Sequence, residues 1–212
     1  NKIAAMTGVE TLTLTSTNND AAAKADLTNA SGLVTIDAKF VTGGAADQIS
    51  IAGITAGTKI KTTMTETGDN LVLALADAAG AADALTVELT DGGDVNDVLN
   101  FDAAGIESVA FTAKDTTHST TLDLAGLTAT GTGTSSVTFA GAGAVVLNGI
   151  NATTDSIDAT TATGALTVAA AQRTGDAKTI KGGEGADSLA MENAGDTMAG
   201  GLGADDTLVI SY

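Results

Sequence analysis

Gly182-Gly183-Glu184-Gly185-Ala186-Asp187-Ser188-Leu189 and Gly200-Gly201-Leu202-Gly203-Ala204-Asp205 write one glycine–aspartate turn twice. Gly182 and Gly200 lie two nonapeptides apart, and the nonapeptide is the half-coil of a parallel roll built from glycine-rich turns and short strands. Turns at this spacing stack on one side, a strand spacing of about 4.8 Å from each other. The same arithmetic brings Asp187 and Asp205 to a common point between coils.

Each position of the turn has its own task. Glycines let the backbone turn its carbonyls inward, the aspartate brings charge, and the aliphatic residue two places later (Leu99, Leu189, Met198) anchors the turn in the core. Inward carbonyls plus carboxylates make the hard-oxygen shell of about six to eight ligands that Ca2+ takes. Two facing carboxylates about 5 Å apart repel by roughly 3 kcal/mol at an effective dielectric near 20, and a divalent ion reverses that sign.

Asp187, Asp196 and Asp205 repeat at intervals of nine, but the middle half-turn, 191–199, has lost its glycine pair and is the weaker site. The third copy, Gly203-Ala204-Asp205-Asp206-Thr207-Leu208, carries one residue more than the motif, so either Asp205 or Asp206 is the ligand. The candidate set is therefore Gly182, Gly183, Gly185, Asp187, Asp196, Gly200, Gly201, Gly203, Asp205 and Asp206. A lone copy at 92–99 has Val95 in place of its third glycine. It offers oxygen donors instead and adds Gly92, Asp94, Asn96 and Asp97, beside Asp91. Gly43-Gly44-Ala45-Ala46-Asp47 is one residue short and reads as a plain turn.

Outside these turns the chain repeats itself. Gly8-Val9-Glu10-Thr11-Leu12 matches Gly105-Ile106-Glu107-Ser108-Val109, Ala52-Gly53-Ile54 is echoed by Asn148-Gly149-Ile150, and the turn at 92–99 returns at 182–189. This organises the chain as unit 1 over 1–104, unit 2 over 105–199 and the start of a further turn over 200–212. Within a unit, short alternating runs (Thr11 to Thr15; Leu71, Leu73, Leu75; Leu85, Val87, Leu89; Leu122, Leu124) have the period of half-buried strands. Small side chains, few aromatics and nonapeptide turns favour an all-β, mainly parallel solenoid or β-roll over a sandwich, with little helix. The Ala-rich stretch 77–84 is the one place a helical turn is conceivable, and Gly80 weakens it.

Composition narrows the function. The 212 residues hold 9 Lys and Arg against 26 Asp and Glu, a formal charge of −17 that disfavours nucleic acid and anionic membrane and favours cations. No cysteine is present, which removes thiolate zinc sites and thiol catalysis. No apolar run approaches the roughly 20 residues of a membrane span. Asn1 is not an initiator methionine and no basic-then-apolar leader follows, so the chain reads as part of something longer. His118, the single histidine, cannot build a zinc site and reads as a surface strand residue. Glu10 and Glu107 hold equivalent repeat positions, which argues for structure rather than catalysis, and no serine sits in a nucleophile elbow. The expectation is a protein that is not an enzyme.

The segment from Gly182 to Leu208 resembles the repeats-in-toxin (RTX) nonapeptides of proteins exported by type I secretion from Gram-negative bacteria. The larger unit, with Gly8-Val9-Glu10-Thr11-Leu12-Thr13-Leu14 and Gly105-Ile106-Glu107-Ser108-Val109, is similar to calcium-dependent surface-layer (S-layer) proteins of Caulobacter type. That resemblance implies a β-solenoid, secretion to the cell surface, Ca2+ as the bound ion, and self-assembly into a lattice. Surface polysaccharide is then a partner reached through regions outside this segment. Few nonapeptides are present for a toxin, which favours a structural array. The alternatives are a repetitive RTX adhesin or biofilm protein, and the calcium-binding tail of an extracellular enzyme.

Overall fold

A computed structural model describes residues 6–16, 23–41, 46–80, 82–91, 97–131, 133–169 and 178–210. Among these residues there is no helix, and the chain alternates between two sheets. The first sheet stacks Thr11–Thr15, Thr35–Lys39, Lys59–Met64, Ala84–Asp91, Ser108–Ala113, Ser135–Gly141, Thr154–Ala162, Thr179–Lys181 and Thr197–Ala199 in chain order. The second stacks Ala23–Asp26, Gln48–Ile54, Asp69–Leu75, Val98–Ala104, Thr120–Leu124, Val145–Ile150, Leu166–Val168, Ser188–Met191 and Thr207–Ile210. Every paired neighbour is parallel. The fold is a flattened all-parallel β-solenoid, as the alternating runs and small side chains imply.

Register explains why a sequence this poor in large residues folds. Each coil contributes inward side chains that stack on the same positions of the next. Leu12, Ile36, Ile60, Val87, Phe111 and Phe139 form one such column in the first sheet. Leu99, Leu122, Leu147, Val168, Leu189 and Leu208 form another in the second. Each fully buried aliphatic contributes about 1.5–3 kcal/mol, so the stack, not any single residue, carries the fold.

Phenylalanine, although rare, does anchor the core. Phe111 stacks on Phe139 with ring centroids 5.4 Å apart and meets Phe101 edge-on at 5.1 Å across the two sheets. Coil length is less uniform than the turn motif suggests. Thr11 pairs with Thr35 and Thr35 with Lys59, so the early coils are well over two nonapeptides long. Thr179 pairs with Thr197, which makes the last coil two nonapeptides and no more. The nonapeptide half-coil therefore holds only at the C-terminal end. The Ala-rich stretch is an irregular turn at 77–80, closed by the Ala79 N–H donating to Asp77 Oδ1 at 3.2 Å.

The sheets run unbroken past residue 104, since Ser108–Ala113 pairs with strands on both sides. The two Gly-Ile echoes share one geometry. Residues 51–54 and 147–150 have the same buried, exposed, buried, buried pattern, and each lies at a register shift.

Candidate cation-binding turns

The solenoid has two edges, one where the chain leaves the first sheet for the second and one where it returns. The turns at 182–187 and 200–206 both lie on the outgoing edge, one coil apart. The Gly182 N–H donates to Ala199 O at 2.8 Å, the Leu202 N–H to Gly183 O at 2.8 Å, and the Thr207 N–H to Asp187 O at 2.7 Å. Stacking of the two motif copies is thus a property of the structure.

The glycines are there because the coils touch. A methyl group on Gly183 would run into the carbonyl oxygens of Ala159 and Ala162, one on Gly201 into Gly183 O, and one on Gly203 into Gly185 O. At Gly185 it would meet the backbone of Gly164 and Ala165. Gly182 and Gly200 each leave room for a carboxylate, that of Asp187 and that of Asp206 respectively.

That last pairing resolves the doubled aspartate. Lys181 pairs with Ala199 before the turn, but Ser188 pairs with Thr207 after it, so the later copy spends one extra residue in crossing. Asp206, not Asp205, therefore matches Asp187, and its Oδ1 accepts the Asp187 N–H at 3.0 Å. Asp205 is the inserted residue, exposed, with a left-handed φ of 70°. The arithmetic that aligned Asp187 with Asp205 fails because the extra residue is absorbed before Asp206.

The buried aspartates share a hydrogen-bonding role that spacing alone does not reveal. Asp187, 1 % exposed, accepts the Leu166 N–H of the preceding coil at 2.6 Å and the Gly183 N–H of its own turn at 2.7 Å. Asp69 accepts the Asp47 N–H from the preceding coil and the Thr65 and Glu66 N–H groups of its own turn. Asp196 does the same with Lys178, Glu192 and Asn193. Each carboxylate staples its turn closed and ties it to the coil before. The signal was present as Glu-x-Gly-Asp at Glu66–Asp69, missed beside the glycine-rich copies, whereas Asn-Ala-Gly-Asp at Asn193–Asp196 was reached through its spacing of nine.

Asp69 also gathers the two minor motifs. Asp47, Asp69 and Asp97 are all buried and enter successive strands of the second sheet on the outgoing edge. The Gly68 N–H donates to Val98 O at 2.9 Å and the Asn70 N–H to Asp47 O at 2.8 Å. Burial pushes the Asp69 carboxyl up from its ordinary value, against three N–H donors that lower it, and the Asp47 charge adds to the rise. Gly92, Asp94 and Asn96 lie outside the described residues, as do Gly43, Gly44 and Ala45.

The returning edge is built differently. Asp196 lies there, because 191–199 leads from the second sheet back to the first. Glu107 spans three coils, accepting the Asp83 N–H on Oε2 and the Thr130 N–H on Oε1, both at 2.9 Å. Glu10 and Glu107 each sit one residue before a first-sheet strand. Corners are closed by an Asp or Asn whose oxygen accepts both the N–H and the hydroxyl of a Thr two residues on. Asp26 with Thr28 and Asn151 with Thr153 do this here, and Asp115 with Thr117 on the outgoing edge. His118 follows that last corner in a turn rather than a strand, its Nδ1 3.5 Å from Asp115 Oδ2.

Taken as a donor set, the outgoing edge offers only hard oxygens: the Asp187 and Asp206 carboxylates and the coil-facing carbonyls of Gly183, Gly185 and Gly200. Among the described residues no lysine or arginine pairs with Asp187 or Asp206, and no three acidic or histidine side chains converge on one point. An ion at this edge would therefore draw most of its ligands from backbone, which suits Ca2+ better than a nitrogen- or sulfur-seeking metal. Comparison of the chain with family models, with curated proteins and with solved structures returns no match.

Proposed function

We propose that this chain is a structural β-solenoid module of a secreted bacterial cell-surface layer, stabilised by Ca2+ in its glycine–aspartate turns and assembling with copies of itself. The observation that carries the reading is the Asp187–Asp206 stack: two carboxylates one coil apart, with carbonyl-lined glycine turns beside them and, among the described residues, no lysine or arginine paired with either. Two like charges at one strand spacing oppose coil closure, and a divalent ion held by Asp187, Asp206 and neighbouring carbonyls removes that opposition. Such an ion binds the folded roll and not the unfolded acidic chain, so it stabilises by RT ln(1 + [L]/Kd). The charge of −17 then weakens the folded chain where calcium is scarce, and bound calcium strengthens it where calcium is plentiful. The module's role is architectural, not catalytic.

Calcium titration of the chelator-treated protein, followed by circular dichroism and melting, tests this reading. The expected result is a rise in Tm that Asp187→Asn and Asp206→Asn each diminish, with light scattering reporting assembly at saturating calcium. An unchanged Tm across the titration, or equal gains in wild type and both variants, removes calcium from the turns. Calcium-induced stability without any growth in particle size would leave the binding but remove the self-assembling layer.

A further inference from the structure

The two edges of the last coils face the same electrostatic problem and solve it differently. On the outgoing edge the register partners are Asp187 and Asp206, two anions. On the returning edge they are Lys178 and Asp196, a cation and an anion. Lys178 is 2 % exposed, unusual for a residue that normally keeps its ammonium in water. Its Nζ donates to Ala152 O at 2.7 Å and to Asn151 O at 3.4 Å, while its N–H donates to Asp196 Oδ1 at 2.8 Å.

Those two carbonyls are held in place. Asn151 Oδ1 accepts the Thr153 N–H and hydroxyl, Asn151 O accepts the Thr154 N–H, and Asn151 Nδ2 donates to Ala125 O at 2.5 Å. The corner turns two carbonyls toward the ammonium, the kind of oxygen pair that coordinates a small cation. A buried ammonium is tolerated only when such oxygens replace its water.

We propose that the Lys178 ammonium is a built-in cation occupying a carbonyl-lined site at the Asn151–Ala152 corner, and that truncating the side chain turns this site into a binding site for free ammonium. The returning edge is thereby closed without any exchangeable ion. The inference goes beyond the calcium reading and does not depend on it.

The experiment melts wild type, Lys178→Ala and Lys178→Met in chelator, with ammonium chloride or tetramethylammonium chloride at matched ionic strength. Expected is a drop of several degrees in both variants. Ammonium, but not the bulky tetramethylammonium, restores much of the loss in Lys178→Ala. Lys178→Met fills the stem volume without charge and gains nothing from either salt. Equal melting of Lys178→Met and wild type, or recovery of Lys178→Ala by both salts alike, would assign Lys178 to packing and overturn the proposal. Should both variants fail to fold, nitrogen-15 spectra of wild type in chelator decide. A slowly exchanging Lys178 ammonium signal supports the buried site, and one exchanging as fast as the surface lysines defeats it. Every arm contains chelator, so a failure of calcium binding leaves these outcomes readable.

Discussion

Asp206 Oδ1 accepts the backbone N–H of Asp187 at 3.0 Å, from one coil further along the chain. Asp187 in turn accepts the N–H of Leu166, so a line of carboxylate-to-amide bonds climbs the outgoing edge from coil to coil. Losing a charge-assisted bond to a buried amide costs about 1.5–3 kcal/mol. Asp206→Ala is therefore expected to lower the urea midpoint clearly. Asp205→Gly, at the left-handed inserted residue, is expected within about 1 kcal/mol of wild type or slightly more stable. Equal loss at both positions would contradict the register.

Gly183→Ala places a methyl group against the carbonyls of Ala159 and Ala162, backbone atoms that cannot step aside singly. Overpacking of this kind costs about 1–3 kcal/mol. Equilibrium unfolding should register it, while Gly80→Ala, whose added atom meets only the movable Asp83 carboxylate, should lose less. A Gly183→Ala protein as stable as wild type would mean the coils are looser than described.

Phe111 lies between Phe139 in its own sheet and Phe101 in the other. Phe111→Ala is expected to cost about 3–5 kcal/mol and Phe111→Leu much less, because leucine continues the aliphatic column. Denaturant midpoints for the two variants provide the check, and a similar loss in both would point to the ring contacts themselves.

The carboxylates differ in sign with pH. Glu107 is held below its ordinary 4.5, first by the Thr130 N–H and, against opposing burial, by the Asp83 N–H. Asp115 and Asp158 are held below 3.8, first by the hydroxyls of Thr117 and Thr160. What these groups contribute is present above their unfolded pKa and lost as pH falls through the folded value. Asp69 runs the other way: raised above 3.8 by burial, its contribution is present below that value and lost as pH rises through the folded one. Stability measured in urea from about pH 6 to pH 3 should fall, and Asp69→Asn should make the fall steeper. A shallower slope in the variant would show that Asp69 titrates like the others.

Much of this was legible in the chain. The alternating runs at Leu71–Leu75 and Leu85–Leu89 and the doubled nonapeptide between Gly182 and Gly200 pointed to the strands, their parallel stacking and the shared edge. Three things were hidden. Thr154–Ala162 is a nine-residue strand, but its inward positions are Thr154, Ile157, Ala159 and Ala162, and register shifts break the period-two signal. Asp69 escaped because a single glycine precedes it. Lys178 escaped because composition treats every lysine as a surface charge, and only the corner at Asn151 shows where this one goes.

The coil shortens along the rod, from the span between Thr35 and Lys59 to that between Thr179 and Thr197, and its interior shrinks with it. Lys59–Met64 and Asp69–Leu75 together bury Ile60, Met64, Leu71, Leu73 and Leu75, whereas Thr179–Lys181 and Ser188–Met191 bury Ile180, Leu189 and Ala190. At about 1.5–3 kcal/mol for each large aliphatic, the narrow end is several kcal/mol per coil poorer in hydrophobic cohesion. In a one-dimensional stack that difference gives unravelling a direction. Under heat, pulling or proteolysis the protein should open from the tapered end first, where polar turn chemistry substitutes for oil, and leave the broad coils as a persistent stump.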